Sequence, residues 1–418
     1  MKLLAVGDMH LGRVPAALPE GLHEQARALG PETAWRRCVD HAIQADVEAV
    51  LLAGDVVDRS RDFFAGYSAL KAGVEQLLAE GIQVIAVAGN HDTGVLPRLA
   101  DAVPGLRLLG RGGQWQTHAL SGASILGWSF PSEHVSHSPL ESLPNLPTHP
   151  IMIGLLHCDR DQTGSRYAPV SSAKLAAAPV AAWLLGHVHK PDFSSGRSDN
   201  GRPIGYLGSV SALRASETGV HGPWLLEVDN GRIQTQQIGL APLAFDGVEL
   251  DVSELEQAQD LMNDLLDAAK KRVEQRLQNQ SLPDALGLRI RLIGETRLGL
   301  ELQSVIDEQL KQQPIWQEAG CQLFFDQIRL DTQPAIDLAE QARQTDAVGV
   351  LARHLLILEG PDSDERKALI RQGQQRLAAL NQFREFKNLE SEIDAERTAE
   401  WLKRAGRTAL TRMLAERL

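Results

Sequence analysis

Apolar runs of strand length alternate with helical periodicities over the first ninety positions. Lys2 to Val6 has the length of a buried strand. Trp35, Val39 and Ile43 then recur every fourth residue within Glu32 to Ala45, and Pro31 with Thr33 marks where that helix begins. A second apolar run, Val47 to Ala53, a second amphipathic stretch, Phe64 to Leu78, and a third run, Ile82 to Ala88, follow after the same fashion. Continuous apolar strands interleaved with helices predict half of a doubly wound α/β sheet.

The rhythm changes near Trp115. Ser124 to Phe130, Ile151 to Leu156, Ala182 to Leu185 and Pro203 to Leu207 read as strands with shorter connections, and Pro223 to Val228 should pair with Ile233 to Ile238 across the turn Asp229, Asn230, Gly231. A second sheet packed on the first is the economical reading. Pro242 to Val248 reads as a boundary. Beyond it Ser253 and Glu256 have the spacing of a capping box for a helix reaching about Gln278. A strand at Leu288 to Ile293, a short helix near Leu302 to Leu310, a strand at Gln322 to Leu330 and a helix from Ala335 to Leu358 complete a small α+β unit. Gly360, Pro361 and Asp362 break the chain again. The tail beyond them carries an apolar stripe, Leu377, Leu380, Phe383, Leu389 and Ile393, then Leu402, Ala405, Ala409 and Met413, among charges of both signs. The expected division is 1–242, 243–360 and 361–418.

Composition narrows this picture. Charged residues at 23% and hydrophobic ones at 43% of 418 positions are ordinary for a globular chain. The first apolar run is broken at Asp8 without a cleavage-site pattern and no later stretch has the length of a bilayer span, so a cytoplasmic protein without a membrane anchor is expected. Cys38, Cys158 and Cys321, odd in number and far apart, argue against a disulfide framework. A formal net charge of -12 disfavours nucleic-acid binding by bulk electrostatics. Any affinity for phosphate has to be local.

Polar residues that could supply such a site stand where apolar runs stop. Leu3 to Val6 leads into Asp8 and His10, Val50 to Ala53 into Gly54, Asp55 and Asp58, and Ile82 to Ala88 into Gly89, Asn90, His91 and Asp92; His157 follows Leu156, and His187 and His189 follow Leu185. The carboxyl ends of strands are where open α/β sheets bind ligands. Mixed carboxylate, amide and imidazole donors suit manganese, iron or zinc better than calcium or magnesium, and a carboxylate can bridge two cations. Two divalent cations roughly 3.5–4 Å apart can clamp an in-line phosphoryl displacement. The remaining histidines, His23, His41, His118, His134, His137, His149, His221 and His354, read as hydrogen-bonded or surface residues. Cys158, Trp35, Trp128 and Trp183 read as core, and Trp401 as either core or a partner contact.

Taken in order, Asp8-x-His10 with Leu11 and Gly12, Gly54-Asp55-x-x-Asp58, Gly89-Asn90-His91-Asp92, His157 and Gly186-His187-x-His189 resemble the calcineurin-like metallophosphoesterases, and within them the SbcD-type DNA exonucleases. Tyr167 to Val170 and Arg289 to Glu295 resemble the YhaO-like bacterial branch of that group. The resemblance implies a two-sheet α/β/β/α sandwich with a small α+β capping domain and a C-terminal helical tail. It also implies two divalent cations, manganese before iron or zinc. Asp8, His10 and His189 would hold one and Asn90, His157 and His187 the other, with Asp55 shared between them. His91 would act on the leaving oxygen of the scissile phosphate, with Asp92 orienting its ring. Ser209 and Arg214 could meet substrate phosphate, and a plain loop explains them equally well. Gly7 departs from the Ser or Thr of many relatives, and Asp58 from a second catalytic histidine of some archaeal ones, which leaves open the balance of exonuclease and endonuclease activity.

DNA, and an SMC-like coiled-coil ATPase of the SbcC or YhaN type held through the C-terminal helices, are the partners the resemblance implies, and a homodimer is compatible with it. A phosphodiesterase of nucleotides or other small phosphoesters, and a non-catalytic scaffold for DNA ends, are the alternatives. The complete donor set with His91 speaks against the scaffold, and the long C-terminal extension against the small-substrate enzyme.

Overall fold

A computed structural model describes residues 1–58, 63–147, 151–193, 201–229, 231–312, 314–380 and 394–415. In its first part β1 (Lys2–Val6), β2 (Ala49–Leu52), β3 (Gln83–Ala86) and β4 (Leu106–Leu108) pair in parallel, joined by α1 (Pro31–Gln44), α2 (Phe63–Ala79) and α3 (Leu96–Ala102). A second sheet runs in the order β5 (Gln116–Ala119), β6 (Ala123–Trp128), β7 (Ile151–His157), β8 (Ala182–Gly186) and β9 (Ile204–Tyr206), with α4 (Ser172–Ala177) between β7 and β8. The hairpin of β10 (Trp224–Asp229) and β11 (Arg232–Gln237) then returns to the first sheet, β10 lying antiparallel to β1.

The central strands of both sheets are buried on both faces, which is why they read as unbroken apolar runs. Leu3, Leu51, Ile85 and Val87 of the first sheet meet Ile125, Ile153, Leu155 and Leu184 of the second in one core. Trp35, Val39, Leu70 and Leu77 cover the first sheet's other face; Trp128, Trp183 and Leu175 fill the space outside the second. The expected α/β/β/α sandwich is present. The short strands β4 and β5 carry no apolar run and went unread in the sequence.

The stretch expected as a boundary, Pro242 to Val248, is instead the start of β12 (Leu243–Asp251). The Asp246 carboxylate is buried under Arg276 and Arg272, at 2.6 and 2.7 Å, and the strand continues through it. With α5 (Leu261–Gln278), β13 (Ala285–Ile293), β14 (Glu295–Thr296), α6 (Gly299–Gln312), β15 (Ile315–Glu318), β16 (Cys321–Leu330) and β17 (Gln333–Pro334), the chain builds a third sheet, β12-β13-β16-β15, and the small pair β14-β17. Phe245 and Phe324 of the third sheet share a cluster with Leu18, Leu22 and Ala212.

Compactness divides the chain into one unit of Met1–Leu250, Gln257–Leu292 and Glu301–Leu330 and another of Asp251–Glu256, Ile293–Leu300 and Asp331–Leu418. In the second unit the capping box does not form. Ser253 Oγ donates to Asp251 Oδ1 (2.6 Å) and accepts from Glu295 N (3.0 Å), and the helix starts only at Leu261. The helix expected over Ala335 to Leu358 is split into α7 (Leu338–Gln341) and α8 (Ala347–Glu359), because Asp337 and Asp346 each cap a new start by accepting from Glu340 N and Gly349 N. Helices α9 (Asp364–Leu380) and α10 (Ala395–Ala415) follow; Leu410 is buried with Leu338, Val348, Ala352 and Leu355. Trp401 stays 38% exposed beside an apolar groove of about 740 Å³ lined by Leu351, Leu369 and Leu402. Phe383, Leu389 and Ile393 of the expected stripe, and His149 and Asn230, lie outside the described residues. Among the described residues, no helix is long and apolar enough to cross a membrane.

Candidate metal centre

The loops that leave β1, β2 and β8 place their polar residues by backbone conformations that side chains rarely adopt. Asp8 (φ 39°), His10 (φ 48°), Asp55 (φ 49°) and His187 (φ 105°) all lie at positive φ. Each such residue costs about 1–3 kcal/mol unless its surroundings hold it. They do: His10 N donates to Asp55 O (2.9 Å) and His187 N to Asp8 Oδ1 (2.9 Å), lacing three strand ends together. A Cβ on Gly89 would stand 2.2 Å from Asp55 Oδ1 and 2.8 Å from His157 Cε1, so that turn has to be glycine for Asp55 to sit against it.

The four histidines share one arrangement, with one ring nitrogen beside an outward oxygen and the other facing inward. Outward, Asp58 Oδ1 lies 3.1 Å from His10 Nδ1 and Asp159 Oδ1 3.2 Å from His187 Nε2; His189 Nδ1 donates to Glu217 Oε1 (2.8 Å) and His157 Nδ1 to Ala53 O (3.0 Å). Inward, His10 Nε2 faces His189 Nε2 at 3.1 Å, while His157 Nε2, His187 Nδ1 and Asn90 Oδ1 form a triangle with sides of 3.1, 3.1 and 3.3 Å. A histidine that donates through one nitrogen presents a bare lone pair at the other. Lone pairs facing each other across about 3 Å in a buried space repel unless a cation or proton lies between them. Asp8 belongs with His10 and His189 in one group of mutually close donors and with Asp55 and His157 in another. Asp55 Oδ2 stands 3.9 Å from His10 Nε2 and 3.5 Å from His157 Nε2, between the two.

Electrostatics fit the same assignment. Burial lowers the pKa of His157 to about 4 and also depresses His10 and His187, so these rings are neutral and able to ligate. Burial pulls His189 down too, but its hydrogen bond to Glu217 and the field of Asp8 outweigh that and leave it raised. Burial lifts Asp8 to about 8 and also opposes charge on Asp55, which is nonetheless lowered by positive charge on the facing rings and by the His91 N–H on its Oδ1. Cys158 is buried with a thiol pushed far up, so it supplies no thiolate. An oxygen and imidazole donor set without sulfur fits manganese, iron or zinc.

The structure thus brings Asp8, His10, Asp55, Asn90, His157, His187 and His189 together. His91 sits exposed at their rim, its ring centroid 5.4 Å from that of His10 and its N–H on Asp55 Oδ1 (3.0 Å). Asp92 does not orient that ring. Its carboxylate is fully buried and accepts from Val56 N (2.7 Å) and Gly89 N (2.8 Å), tying the β2 and β3 ends. Ser209 is turned inward, with Oγ 3.1 Å from His221 Nδ1, while Arg214 is exposed. Asp58, next to His10, also contacts Arg13 Nη1 (3.4 Å). The outward partners Glu217, Asp159 and Ala53 were missed in the sequence. Only Asp159, two residues after His157, had a positional signal.

Residues 1–191 match the calcineurin-like phosphoesterase family. The uncharacterized metallophosphoesterase YhaO of Bacillus subtilis (strain 168) is 25% identical over 243 residues, covering 52% of this chain and 55% of that protein. The DNA double-strand break repair protein Mre11 of Haloferax volcanii is 26% identical over 307 residues, covering 70% of this chain and 62% of that protein. The chain therefore spans 55 and 62% of the lengths of these two relatives. A solved dimetal phosphatase from Danio rerio is 13% identical, with a TM-score of 0.37, over 57% of this chain and 95% of that one.

Proposed function

From the premise that residues 1–191 are a calcineurin-like phosphoesterase domain, we propose that this protein hydrolyses phosphodiester bonds of DNA as the nuclease subunit of an SMC-like ATPase. The observation that carries hydrolysis is the set of bare donors facing one another in two clusters, Asp8–His10–His189 and Asn90–His157–His187, with Asp55 between them. These would hold two divalent cations, manganese before iron or zinc. When bound, such cations polarise a phosphoryl oxygen and lower the pKa of a water. The chain's own contribution is placement. Asp55 is held by the His91 N–H, and the exposed His91 ring is free to give a proton to the departing oxygen.

DNA as substrate is supported by an open groove of about 900 Å³ that starts at Asp159 and carries Arg166, Lys190 and Tyr167, with Arg160 paired to Asp192 in its wall. The Tyr167 ring lies 5.1 Å from that of His187. Cations for the backbone and an aromatic face for a base are what a single strand requires. The DNA repair role in the printed name of the Haloferax relative and the SbcD-like motif order support the same reading. The net charge of -12 favours a second reading, a small phosphodiester in the same site.

Mn²⁺-dependent cleavage of duplex ends against cleavage of bis(p-nitrophenyl) phosphate separates the two. Cleavage of both, stimulated on DNA by ATP when the coiled-coil ATPase is co-expressed, is expected. Turnover of the small ester alone would overturn the DNA assignment. The ATPase is proposed to dock at the apolar groove beside Trp401, so Trp401→Ser should leave the melting temperature unchanged and abolish co-purification. Retained co-purification would place the partner elsewhere.

A further inference from the structure

Glu217 lies on the connection between β9 and β10, and three alternate carbonyls of that connection are gripped by side chains. Arg289 of β13 donates to Ala215 O (3.3 Å), His221 Nε2 to Glu217 O (3.0 Å), and Arg276 of α5 to Gly219 O (2.8 Å). Gly219 N donates in turn to Phe245 O of β12 (2.8 Å). Arg276 is only 4% exposed and its direction is set. Nε and Nη2 fork onto Asp246 at 2.8 and 2.6 Å, and Nη1 reaches Ser281 O at 3.1 Å. A planar guanidinium can serve a carboxylate and two carbonyls at once, whereas an ammonium cannot reproduce that fork. What the gripped loop presents is the Glu217 carboxylate: Oε2 accepts from Leu213 N (2.8 Å) and Oε1 from His189 Nδ1 (2.8 Å).

We infer that Glu217 is a positioning residue for His189, and that the third sheet and α5 set its direction through Arg276. Affinity for the cation at the Asp8–His10–His189 cluster is then governed from outside the sandwich. The inference rests on the two-cation reading above. The hydrogen-bond partner on the far nitrogen of a ligating histidine fixes the ring's tautomer and orientation, and losing it costs about 10–100-fold in metal affinity. The other histidines take their partners from nearer the strand ends: Ala53 ends the run that contains β2, Asp58 lies three residues after Asp55, and Asp159 two after His157. His189 alone is served by a residue whose own backbone is held by β12, β13 and α5.

The test is Mn²⁺ binding to the full chain by isothermal titration and metal analysis. Wild type should take two ions. Glu217→Gln should weaken one of them by about 10–100-fold and leave the other unchanged. Arg276→Lys, which keeps a charge against Asp246 and gives up Gly219, should weaken the same ion by a smaller factor, and the double variant should be no worse than Glu217→Gln alone. If Arg276→Lys fails to fold by thermal melting of the metal-free protein, Arg289→Met carries the same expectation, since it releases Ala215 and leaves the Asp246–Arg276 pair in place. Unchanged binding in a folded variant, equal weakening of both ions, or additive losses in the double variant would overturn the inference. Fewer than two ions on wild type would overturn the cation reading instead.

Discussion

The two halves of the candidate centre are built from similar donors but held in different electrostatic states. Around His10 and His189 the donors include the Asp8 carboxylate, and two further carboxylates, Asp58 and Glu217, stand behind the rings. Around His157 and His187 the third donor is the neutral Asn90 amide, His157 is backed by a backbone carbonyl, and a single carboxylate, Asp159, stands behind His187. The first half is therefore richer in negative charge and holds its protons more tightly, with Asp8 and His189 both raised; in the second, burial depresses His157 to about 4 and lowers His187 as well. Charge favours a cation at the first half and proton competition opposes it. The two positions should therefore differ in how they respond to pH, and single substitutions should separate them.

Asp55 Oδ2 lies within 3.9 Å of His10 Nε2 and 3.5 Å of His157 Nε2, so its loss should have the largest effect. Asp55→Ala is expected to abolish hydrolysis and to lower occupancy at both positions, as read by metal analysis beside a phosphodiester assay. Full activity in this variant would remove the shared-carboxylate assignment. His91 belongs to neither half. His91→Ala should retain both ions while turnover falls by about 10²–10⁴-fold, the usual worth of general acid catalysis. Loss of an ion instead would make His91 a ligand.

Much of this was legible beforehand, and the reason is local. Each candidate ligand stands within a few residues of the end of an apolar run, so periodicity locates Asp8, Asp55, Asn90, His157 and His187 together with their strands. What was not legible depends on contacts between distant segments. Glu217 lies 28 residues after His189 in a connection without pattern, and it matters only because the backbone folds back on that ring. Asp92 follows His91 directly and was assigned to it, yet a buried carboxylate takes the nearest unpaired N–H groups, which belong to Val56 and Gly89. Likewise Pro242 to Val248 reads as a boundary because the partners of Asp246, Arg272 and Arg276, are a helix away.

Asp159→Asn sharpens the comparison with a smaller effect. It should weaken the ion at the Asn90–His157–His187 triangle by about 10–100-fold without touching the other, by titration with Mn²⁺. An equal change at both positions would show that the halves are not separable.

The pH response follows from the signs. Groups raised in the folded state hold protons that an incoming cation must displace, so the first position should lose affinity as pH falls from about 8, where burial has placed Asp8. The second should hold its affinity to lower pH, because burial depresses both His157, to about 4, and His187. Titration in two buffers of different ionisation enthalpy reads the protons released by each ion. Release by both, or by neither, would contradict the asymmetry. In the metal-free protein the raised Asp8 contributes stability that is present below the ordinary carboxylate pKa and lost as pH rises through about 8.

The central claim is that the facing lone pairs mark two cation positions. Anomalous diffraction at the manganese edge, from crystals grown with Mn²⁺, tests it most directly. The account predicts two peaks, one in reach of His10 Nε2 and His189 Nε2 and one within the triangle of Asn90 Oδ1, His157 Nε2 and His187 Nδ1, with Asp55 between them. A single peak, or a peak held by neither cluster, would contradict it.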